Sequence, residues 1–292
     1  MSTLARQLVP RPNYERQLQS TAAIGEIKRP LTPFQKIAKF AVVRKTLILV
    51  CLALIWQVYA VSIDNELMLP SFTSTLQALW DAVVHGPLLQ RALYSFEILV
   101  TGYAIGVLLA GVLVSASVST QLGNDLLSLL TAMFNPLPAI ALLPLALLWF
   151  GIGPPSIIFV IVHSVLWAVA VNTHSGFRSV SETTRMAGQS FGLKGLGYIF
   201  GILVPAAFPS ILSGLKIGWA FAWRTLIAAE LVFGATSRSG GLGWFIFENR
   251  NSLETPAVFA GLLTVILLGL FVEGVVFSTI ERRSVRRWGM QR

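Results

Sequence analysis

The stretch ILVTGYAIGVLLAGVLVSASV, residues 98–118, decides the structural class of this protein. A helix needs about 20 consecutive, mostly apolar residues to cross the hydrocarbon core of a bilayer. This run has that length and contains no charged side chain. It therefore predicts a transmembrane helix.

Five further apolar runs occur along the 292 residues, at 46–63, 126–150, 156–171, 211–233 and 257–280. The run at 156–171 is short for a span, so we expect its helix to extend into the flanking residues. The sequence therefore predicts an all-α membrane protein with about six transmembrane helices.

The composition excludes an ordinary soluble domain. Hydrophobic residues make up 54% of the chain and charged residues 12%, with a mean hydropathy of +0.71. Soluble domains carry roughly 25% charged residues. The single cysteine, Cys51, excludes an internal disulfide, and we find no ligand pattern for a metal, haem or flavin. No cofactor is expected.

The net charge of +9 is concentrated at the two ends of the chain. Nine Lys and Arg residues precede the first apolar run, and five follow the last. Six spans place both ends on one side, together with the three bases of the loop at 178–205, and leave three bases for the other side. The positive-inside rule then predicts cytoplasmic termini in a bacterial inner membrane. Aromatic residues do not interleave with these bases, so nucleic acid is not an expected partner.

This topology divides the chain into three parts. Residues 1–45 form a basic cytoplasmic N-terminal segment, and residues 281–292 form a basic cytoplasmic tail. The transmembrane domain spans residues 46–280, surrounded by membrane lipid, and includes the cytoplasmic loop at 178–205.

The third apolar run is interrupted by Asn135, Pro136, Pro138 and Pro144. A proline inside a helix removes a backbone donor and clashes with the preceding turn. A broken helix at membrane depth is tolerated only against protein or a water-filled cavity. We therefore expect residues 134–144 to face the interior of the bundle, with Asn135 and Pro138 as candidate pathway residues. A simple kink or a re-entrant packing element is the alternative.

The loop at 178–205 has the signals of two short helices joined by a turn. Ser179 and Glu182 have capping-box spacing, which predicts a helix start. Gly192 suits the left-handed residue that ends a helix, and we expect Pro205 to end the following segment. The sequence predicts a polar helix-turn-helix that protrudes into the cytoplasm.

This loop resembles that of importer permeases in the ABC superfamily. Their pattern is Glu-Ala-Ala, three residues, Gly, nine residues, Ile, one residue and Leu-Pro. The matching positions here are Ala187, Gly192, Ile202 and Pro205, and the departures are Met186, Gly188 and Val204. The resemblance implies that this loop, with Gln189 and Ser190 at its tip, contacts a cytoplasmic ATPase. The missing glutamate at Met186 removes an acidic side chain from that contact.

Six further segments are similar to one branch of these permeases, the nitrate, sulfonate, taurine and bicarbonate group. They are Leu69-Pro70-Ser71, Leu143-Pro144 with Trp149-Phe150-Gly151-Ile152-Gly153, Pro205-Ala206-Ala207-Phe208-Pro209, Gly214-Leu215-Lys216, Ala228-Ala229-Glu230-Leu231 and Gly240-Gly241-Leu242-Gly243. The similarity runs in order from Leu69 to Phe277. The basic arm before Phe34 has no counterpart in this pattern.

The resemblance implies a type I importer permease that pairs with a second copy of itself. It also implies two cytoplasmic ATP-binding subunits and a periplasmic substrate-binding protein as partners, and a small anion such as a sulfonate, nitrate or related organic acid as substrate. The chain has no GxxxxGK[ST] motif to hold a nucleotide phosphate, so ATP hydrolysis is expected on the partner subunit and not here.

Two alternatives come from other classes. Residues 188–192 match the GxSxG pattern of hydrolases, but no β-rich segment precedes them as a nucleophile elbow requires. An ion-coupled secondary transporter would use charged residues within the spans. Such residues are present, and they are Glu97, Lys216, Arg224, Glu230 and Glu273. Inverted repeats, which many such transporters contain, are not evident.

Arg224 and Glu230 are the candidate charged residues of the pathway. Six residues on one helix correspond to about 600°, some 120° short of two turns, so the two side chains do not share a face. We hypothesise that Arg224 faces a translocation cavity and favours anions. The alternative is a buried pair between Arg224 and an acid on another span. Glu230 could likewise form a structural pair with Arg224 or Lys216.

Two loops are expected on the outer side. Residues 70–85 predict a short surface helix with Leu76, Leu79, Trp80 and Val83 on one face. Residues 237–254 are rich in glycine and aromatics and predict a second outer element. We expect one or both to contact the substrate-binding protein.

Overall fold

A computed structural model describes residues 41–233 and 240–287 of the chain. Within these ranges the regular structure is entirely helical. The α-helices are α1 (Ala41–Ile63), α2 (Phe72–Val84), α3 (Leu88–Ser119), α4 (Gln121–Phe134), α5 (Leu143–Phe150), α6 (Pro154–Arg178), α7 (Glu182–Ser190), α8 (Gly195–Tyr198), α9 (Val204–Phe233), α10 (Leu242–Asn251), α11 (Thr255–Phe271) and α12 (Ser278–Arg283). The basic arm before Phe34, and the last five residues of the tail, lie outside the described residues.

The membrane spans agree with the predicted number. Five helical segments of the described chain are long and apolar enough to cross a membrane, and a bent pair of helices makes a sixth if it counts as one span. The short fourth run extends at both ends to become α6, as expected. The second span begins at Leu88, ten residues before the apolar run that predicted it. Its first turn carries Arg91, whose guanidinium lies 2.9 Å from the carboxylate of Glu248 in α10.

The bent pair is the third predicted span. Helix α4 ends at Phe134, and the following helical segment Ala139–Phe150 leaves at 87° to it. Pro136 and Pro138 lie in the break, where neither ring can donate a backbone hydrogen bond. Pro144 lies in the first turn of α5, where a proline costs little.

The fifth span contradicts the expectation that Pro205 ends a segment. Helical structure continues from Gly195 to Val232, and Pro205 lies in the first turn of α9. A π-helical turn, Ile199–Leu203, comes directly before it. A π turn breaks the regular i to i−4 register, and this irregularity accommodates the missing donor of Pro205. The helix therefore carries the loop straight into the membrane span.

The core belongs to the larger of the two compact units of the chain, Ile55–Arg292, and is formed by α3, α6 and α9. Glycines allow these helices to approach closely. A Cβ on Gly106 would lie 2.8 Å from Cβ of Val165, and a Cβ on Gly176 would lie 2.5 Å from Cβ of Ser210. Small residues at such contacts allow helix backbones to pack closely in membranes. Side chains on α6 are thus held on both sides.

Two short helices, α2 and α10, pack beside the long helices, and α10 contributes Leu242 and Phe245 to the core. Helix α2 is capped by the Ser71 hydroxyl, which accepts from the Ser74 amide at 3.1 Å, and it packs against α11. Leu76, Trp80 and Val83 are exposed on it, which confirms the predicted surface helix. The other element is α10, which follows residues 234–239, a segment outside the described ranges. The contact of either helix with a binding protein stays a prediction.

Candidate translocation cavity and coupling loop

A cavity of about 440 Å³ lies where the broken third span meets α6 and α9. The break contributes residues 135–140, including Asn135 and Pro138. The two helices contribute His163, Ser164, Trp167, Phe221, Arg224, Thr225 and Ala228. The break therefore lines a cavity, and its role in a pathway stays a prediction. The cavity also brings together three of the four residues that the sequence nominated for a pathway.

Arg224 is exposed in this cavity. Its guanidinium carbon lies 5.8 Å from the centroid of the Phe221 ring. Among the described residues, no carboxylate lies within ion-pair distance of Arg224, so the alternative of a buried pair on another span does not fit. An intramembrane charge is costly and is usually found facing a bundle interior or a water-filled cavity. The cavity supplies such a place.

An aromatic cluster that sequence reasoning missed lies beside the cavity, and two of its members, His163 and Trp167, line it. Phe134 stacks on Trp167, with ring centroids 5.7 Å apart, and His163 lies edge-on to both. Trp167 Nε1 and both ring nitrogens of His163 have no hydrogen-bond partner within the described part of the chain. Their spacing of four residues on α6 was the available signal, because it places two polar aromatics on one face.

Glu230 lies away from this cavity and is buried, with 3% of its surface exposed. Ser95 of α3 donates its hydroxyl to Glu230 Oε1 at 2.6 Å, and the Gly243 amide donates to Oε2 at 2.7 Å. The Leu242 amide donates to Ser95 Oγ at 2.7 Å. Glu230 therefore forms no pair with Arg224 or Lys216, which corrects that expectation, while its nomination as a pathway residue stays a prediction. It binds the first turn of α10.

The glycines of residues 240–243 make this contact possible. A Cβ on Gly241 would overlap the Ser95 hydroxyl and the Glu230 carboxylate, and a Cβ on Gly243 would lie 2.5 Å from Cβ of Glu230. The carboxylate caps amides that the start of a helix otherwise leaves without partners. We refer to Ser95, Glu230 and residues 241–243 as the α10 latch.

The other charges in the spans have separate placements. Lys216 pairs with Glu281 at 2.7 Å, and Arg286 pairs with the same carboxylate at 3.1 Å. Glu97 lines a recess that also contains Arg91. Glu273 is exposed and forms no ion pair within the described residues.

The coupling loop begins with α7, whose cap differs from the prediction. Ser181, and not Ser179, accepts from the Thr184 amide. Ser179 instead caps the C-terminal end of α6, because that helix continues to Arg178. The Arg185 side chain donates to the carbonyls of Phe177 and Val180, which secures the end of α6.

The turn after α7 has the predicted geometry at Gly192, where φ is +74°. The Leu193 amide donates to the Gly188 carbonyl at 3.2 Å, and the Gly192 amide donates to the Gln189 carbonyl at 2.9 Å. This pair of bonds is a Schellman motif, which favours glycine at the left-handed position. The prediction of a helix-ending glycine is confirmed.

Two of the positions in the loop pattern lie in contact. A Cβ on Gly188 would lie 2.7 Å from Cγ1 of Ile202, so the small residue lets α7 pack on the π-helical turn. The tip then projects Met186, Ala187, Gln189 and Ser190 to the surface. Phe191 is 84% exposed beside them. The loop is therefore a folded knob with apolar side chains on its outer face.

The hydrolase alternative does not fit this geometry. Ser190 is the last residue of α7 and donates its hydroxyl to the Met186 carbonyl at 2.9 Å. A nucleophile elbow would place the serine on a strand-to-helix turn. His174 instead lies 3.2 Å from Asn124 Oδ1, measured from Nε2.

The inner membrane component of binding-protein-dependent transport systems is the family that matches, over residues 102–283. The match includes the cavity, the coupling loop and Glu230. The chain belongs to this family. It is an ABC importer permease of the sulfonate, taurine and nitrate group, and its relatives are transport subunits and not enzymes.

Three relatives illustrate the similarity of this permease to others. The taurine transport system permease of Escherichia coli K12 is 33% identical over 181 residues, covering 60% of this chain and 64% of the relative. The nitrate import permease of a Synechocystis strain is 32% identical over 174 residues, covering 60% and 59%. A protein of Escherichia coli K12 whose name assigns it to aliphatic sulfonate transport is 29% identical over 221 residues, covering 76% and 82%.

Proposed function

We propose that this permease forms the translocation pathway for a small anion, such as a sulfonate, nitrate or a related organic acid. The observation that carries the proposal is Arg224, a cation on a membrane span that is exposed in a cavity and has no carboxylate partner within the described residues. Relatives named for taurine, nitrate and aliphatic sulfonates support an anionic substrate.

The chemistry of the guanidinium suits such a substrate. Its planar fork of donors matches carboxylate and similar oxyanions in two-point hydrogen bonds. The Trp167 indole N–H and the His163 ring nitrogens are buried beside the cavity without a partner in the described chain, and a small movement of these rings would turn them toward a substrate. Their aromatic faces, with Phe221, provide an apolar surface for a short carbon skeleton. The cavity therefore suits a small amphipathic anion.

A second copy of the permease completes the pathway in this proposal. Arg224 is exposed in the single chain, and an exposed charge on a membrane span is costly unless protein or water covers it. A homodimer would cover this exposed arginine and bring two arginines toward one pathway. The chain would then form the translocation pathway, and its partners would carry out ATP hydrolysis.

Energy reaches the pathway through the coupling loop. We expect two cytoplasmic ATP-binding subunits to dock on residues 186–192, where Met186 and Phe191 offer exposed apolar side chains. Ile202 packs against Gly188 of this tip, and Pro205 lies in the first turn of α9, where the fifth span begins. Because helical structure is continuous from Gly195 to Val232, a movement of the loop is transmitted to Arg224.

The topology of the proposal follows the distribution of charge. The N- and C-termini and the coupling loop lie in the cytoplasm, and α2 and α10 lie at the outer face of the bacterial inner membrane. A periplasmic binding protein would deliver the substrate there, in contact with α2, α10 or both.

The substitution Arg224→Gln tests the role of the cavity. In the complex with its ATPase and binding protein, we expect membrane insertion and assembly to persist and the uptake of labelled taurine, methanesulfonate or nitrate to fall at least tenfold. Arg224→Lys should retain part of the uptake because the charge is kept. Arg283→Gln, an exposed arginine away from the cavity, is the matched control.

Unchanged uptake in Arg224→Gln would refute the proposed role of this arginine. Uptake that continues without ATP and follows an ion gradient would instead favour an ion-coupled secondary transporter.

A further inference from the structure

A second cavity, of about 520 Å³, lies between α4 and α6 toward the coupling loop. Its lining residues are Leu127, Ser128, Thr131, Ala132, Val171, His174, Ser175 and Arg178. Thr131 precedes Asn135 of the first cavity by one helical turn, and Val171 follows Trp167 by one turn. The two cavities therefore adjoin along both helices.

One face of α6 serves both cavities. His163 and Trp167 line the first, and Val171, His174 and Arg178 line the second. At 3.6 residues per turn, these five positions fall within about 80° around the helix axis. A solute that leaves Arg224 along this face meets His174 and Arg178 next.

The hydroxyl groups of the second cavity differ from most of those on the other spans. Serine and threonine in membrane helices commonly bond a carbonyl of the preceding turn, as Ser213 does to Pro209 at 3.0 Å and Thr264 does to Ala260 at 2.8 Å. The side-chain hydroxyls of Ser128, Thr131 and Ser175 make no hydrogen bond within the described residues. Three hydroxyls are thus free to bind a solute.

Arg178 supplies the charge of this lining. It is exposed and forms no ion pair in the described part of the chain. His174 stands one turn before it, with Nε2 3.2 Å from Asn124 Oδ1. No acidic residue lines the cavity among the described residues. Asp125, the acidic residue of α4, lines a separate recess with Gln121. The local potential therefore favours an anion.

We propose that Arg178, His174 and the hydroxyls of Ser128, Thr131 and Ser175 form a second anion-binding station at the cytoplasmic end of the pathway. The inference rests on the proposed function, because it takes Arg224 as the first station. The ligand class is a monovalent anion with an oxyanion head group, such as a sulfonate, carboxylate or nitrate. The guanidinium supplies the charge, and the hydroxyls supply the donors that replace water.

The test measures the local potential directly. In the assembled transporter with Cys51→Ala, which removes the native thiol, Ser175→Cys is modified with two thiosulfonate reagents of similar size. One carries a sulfonate group and the other a quaternary ammonium group. We expect the sulfonate reagent to be favoured, and Arg178→Gln to lower the ratio of the two rates about fivefold, as removal of one nearby charge predicts. Arg283→Gln should leave the ratio unchanged.

A ratio that does not respond to Arg178→Gln would overturn the second station, as would an introduced thiol at position 175 that neither reagent reaches. The ligand source is separated by protection experiments in phosphatidylcholine vesicles. Protection of this thiol by methanesulfonate, taurine or nitrate supports the station. Protection only by added phosphatidylglycerol would assign the site to a lipid head group and overturn its place in the pathway.

The same measurement at Ser164→Cys, in the first cavity, keeps this inference distinct from the proposed function. A loss of anion preference there in Arg224→Gln, but not in Arg178→Gln, shows that the two stations act separately. If uptake is insensitive to Arg224→Gln while the ratio measured with Ser175→Cys still depends on Arg178, the first station fails and the second stands.

Discussion

Removal of a single hydroxyl, in Ser95→Ala, should release α10 from the bundle. Ser95 Oγ donates to Glu230 Oε1 at 2.6 Å and accepts from the Leu242 amide at 2.7 Å. Both partners are buried, with Glu230 at 3% exposure and Leu242 at 0%. The substitution therefore leaves one amide without an acceptor and one carboxylate with a donor fewer.

The magnitude follows from these two losses. A hydrogen bond is worth about 0.5–1.5 kcal/mol, or about 1.5–3 kcal/mol when one partner is ionised, and a buried donor without a partner costs about 1–3 kcal/mol. A combined loss of about 3 kcal/mol lies in the middle of these ranges. Since 1.4 kcal/mol corresponds to a factor of ten, the local opening of α10 should become about 100-fold more frequent.

Amide hydrogen exchange of the peptide covering α10 measures this opening. Ser117→Ala is the matched control, because Ser117 lies on the same helix, is also buried, and bonds only the Val114 carbonyl of its own turn at 2.8 Å. We expect exchange of α10 in the control to stay within about threefold of the parent protein. If Ser95→Ala also stays within that limit, the α10 latch does not hold this helix.

Two further substitutions test the loop and the core. Gly192→Val should abolish coupled uptake while the protein still inserts, because φ is +74° there and a β-branched residue would bear strain of about 1–3 kcal/mol. Gly197→Val, in the same loop with open space around it, is the control. Wild-type uptake in Gly192→Val would count against the docking role. Gly106→Ala should lower the free energy of unfolding by about 1–3 kcal/mol, because the added Cβ would overlap Val165. Gly111→Ala is the control, since its Cβ would meet nothing within 4 Å and should leave the free energy of unfolding unchanged. Equal melting temperatures of the two variants would contradict the close packing of α3 on α6.

The class of fold was accessible from the sequence because length and hydropathy alone determine which segments can cross a bilayer. The break near Asn135 was accessible for a similar reason, since the chemistry of proline is local. The left-handed Gly192 followed from the turn signal. These features depend on a few adjacent residues, so no tertiary information is needed to find them.

The environment of Glu230 could not be predicted in the same way. Its partners, Ser95 and Gly243, lie 135 and 13 residues away in the chain, and a serine in an apolar helix carries no mark of its long-range bond. Lys216 was nominated as a partner for Glu230, yet it pairs with Glu281, which lies in α12 at the end of the sixth span. The expectation that Pro205 ends a helical segment was wrong because a π-helical turn, which has no sequence signature, precedes it.

The uninterrupted helical segment Gly195–Val232 has a mechanical consequence. Its 38 residues correspond to a rod about 57 Å long, and Arg224 lies about 44 Å from the loop end. A tilt of about 5° pivoting at that end would swing the guanidinium by about 4 Å, comparable to the width of a small solute. The π-helical turn Ile199–Leu203 and the helix-interior Pro209 both lie near the pivot, so the two irregular points of the rod precede the part that carries the charge.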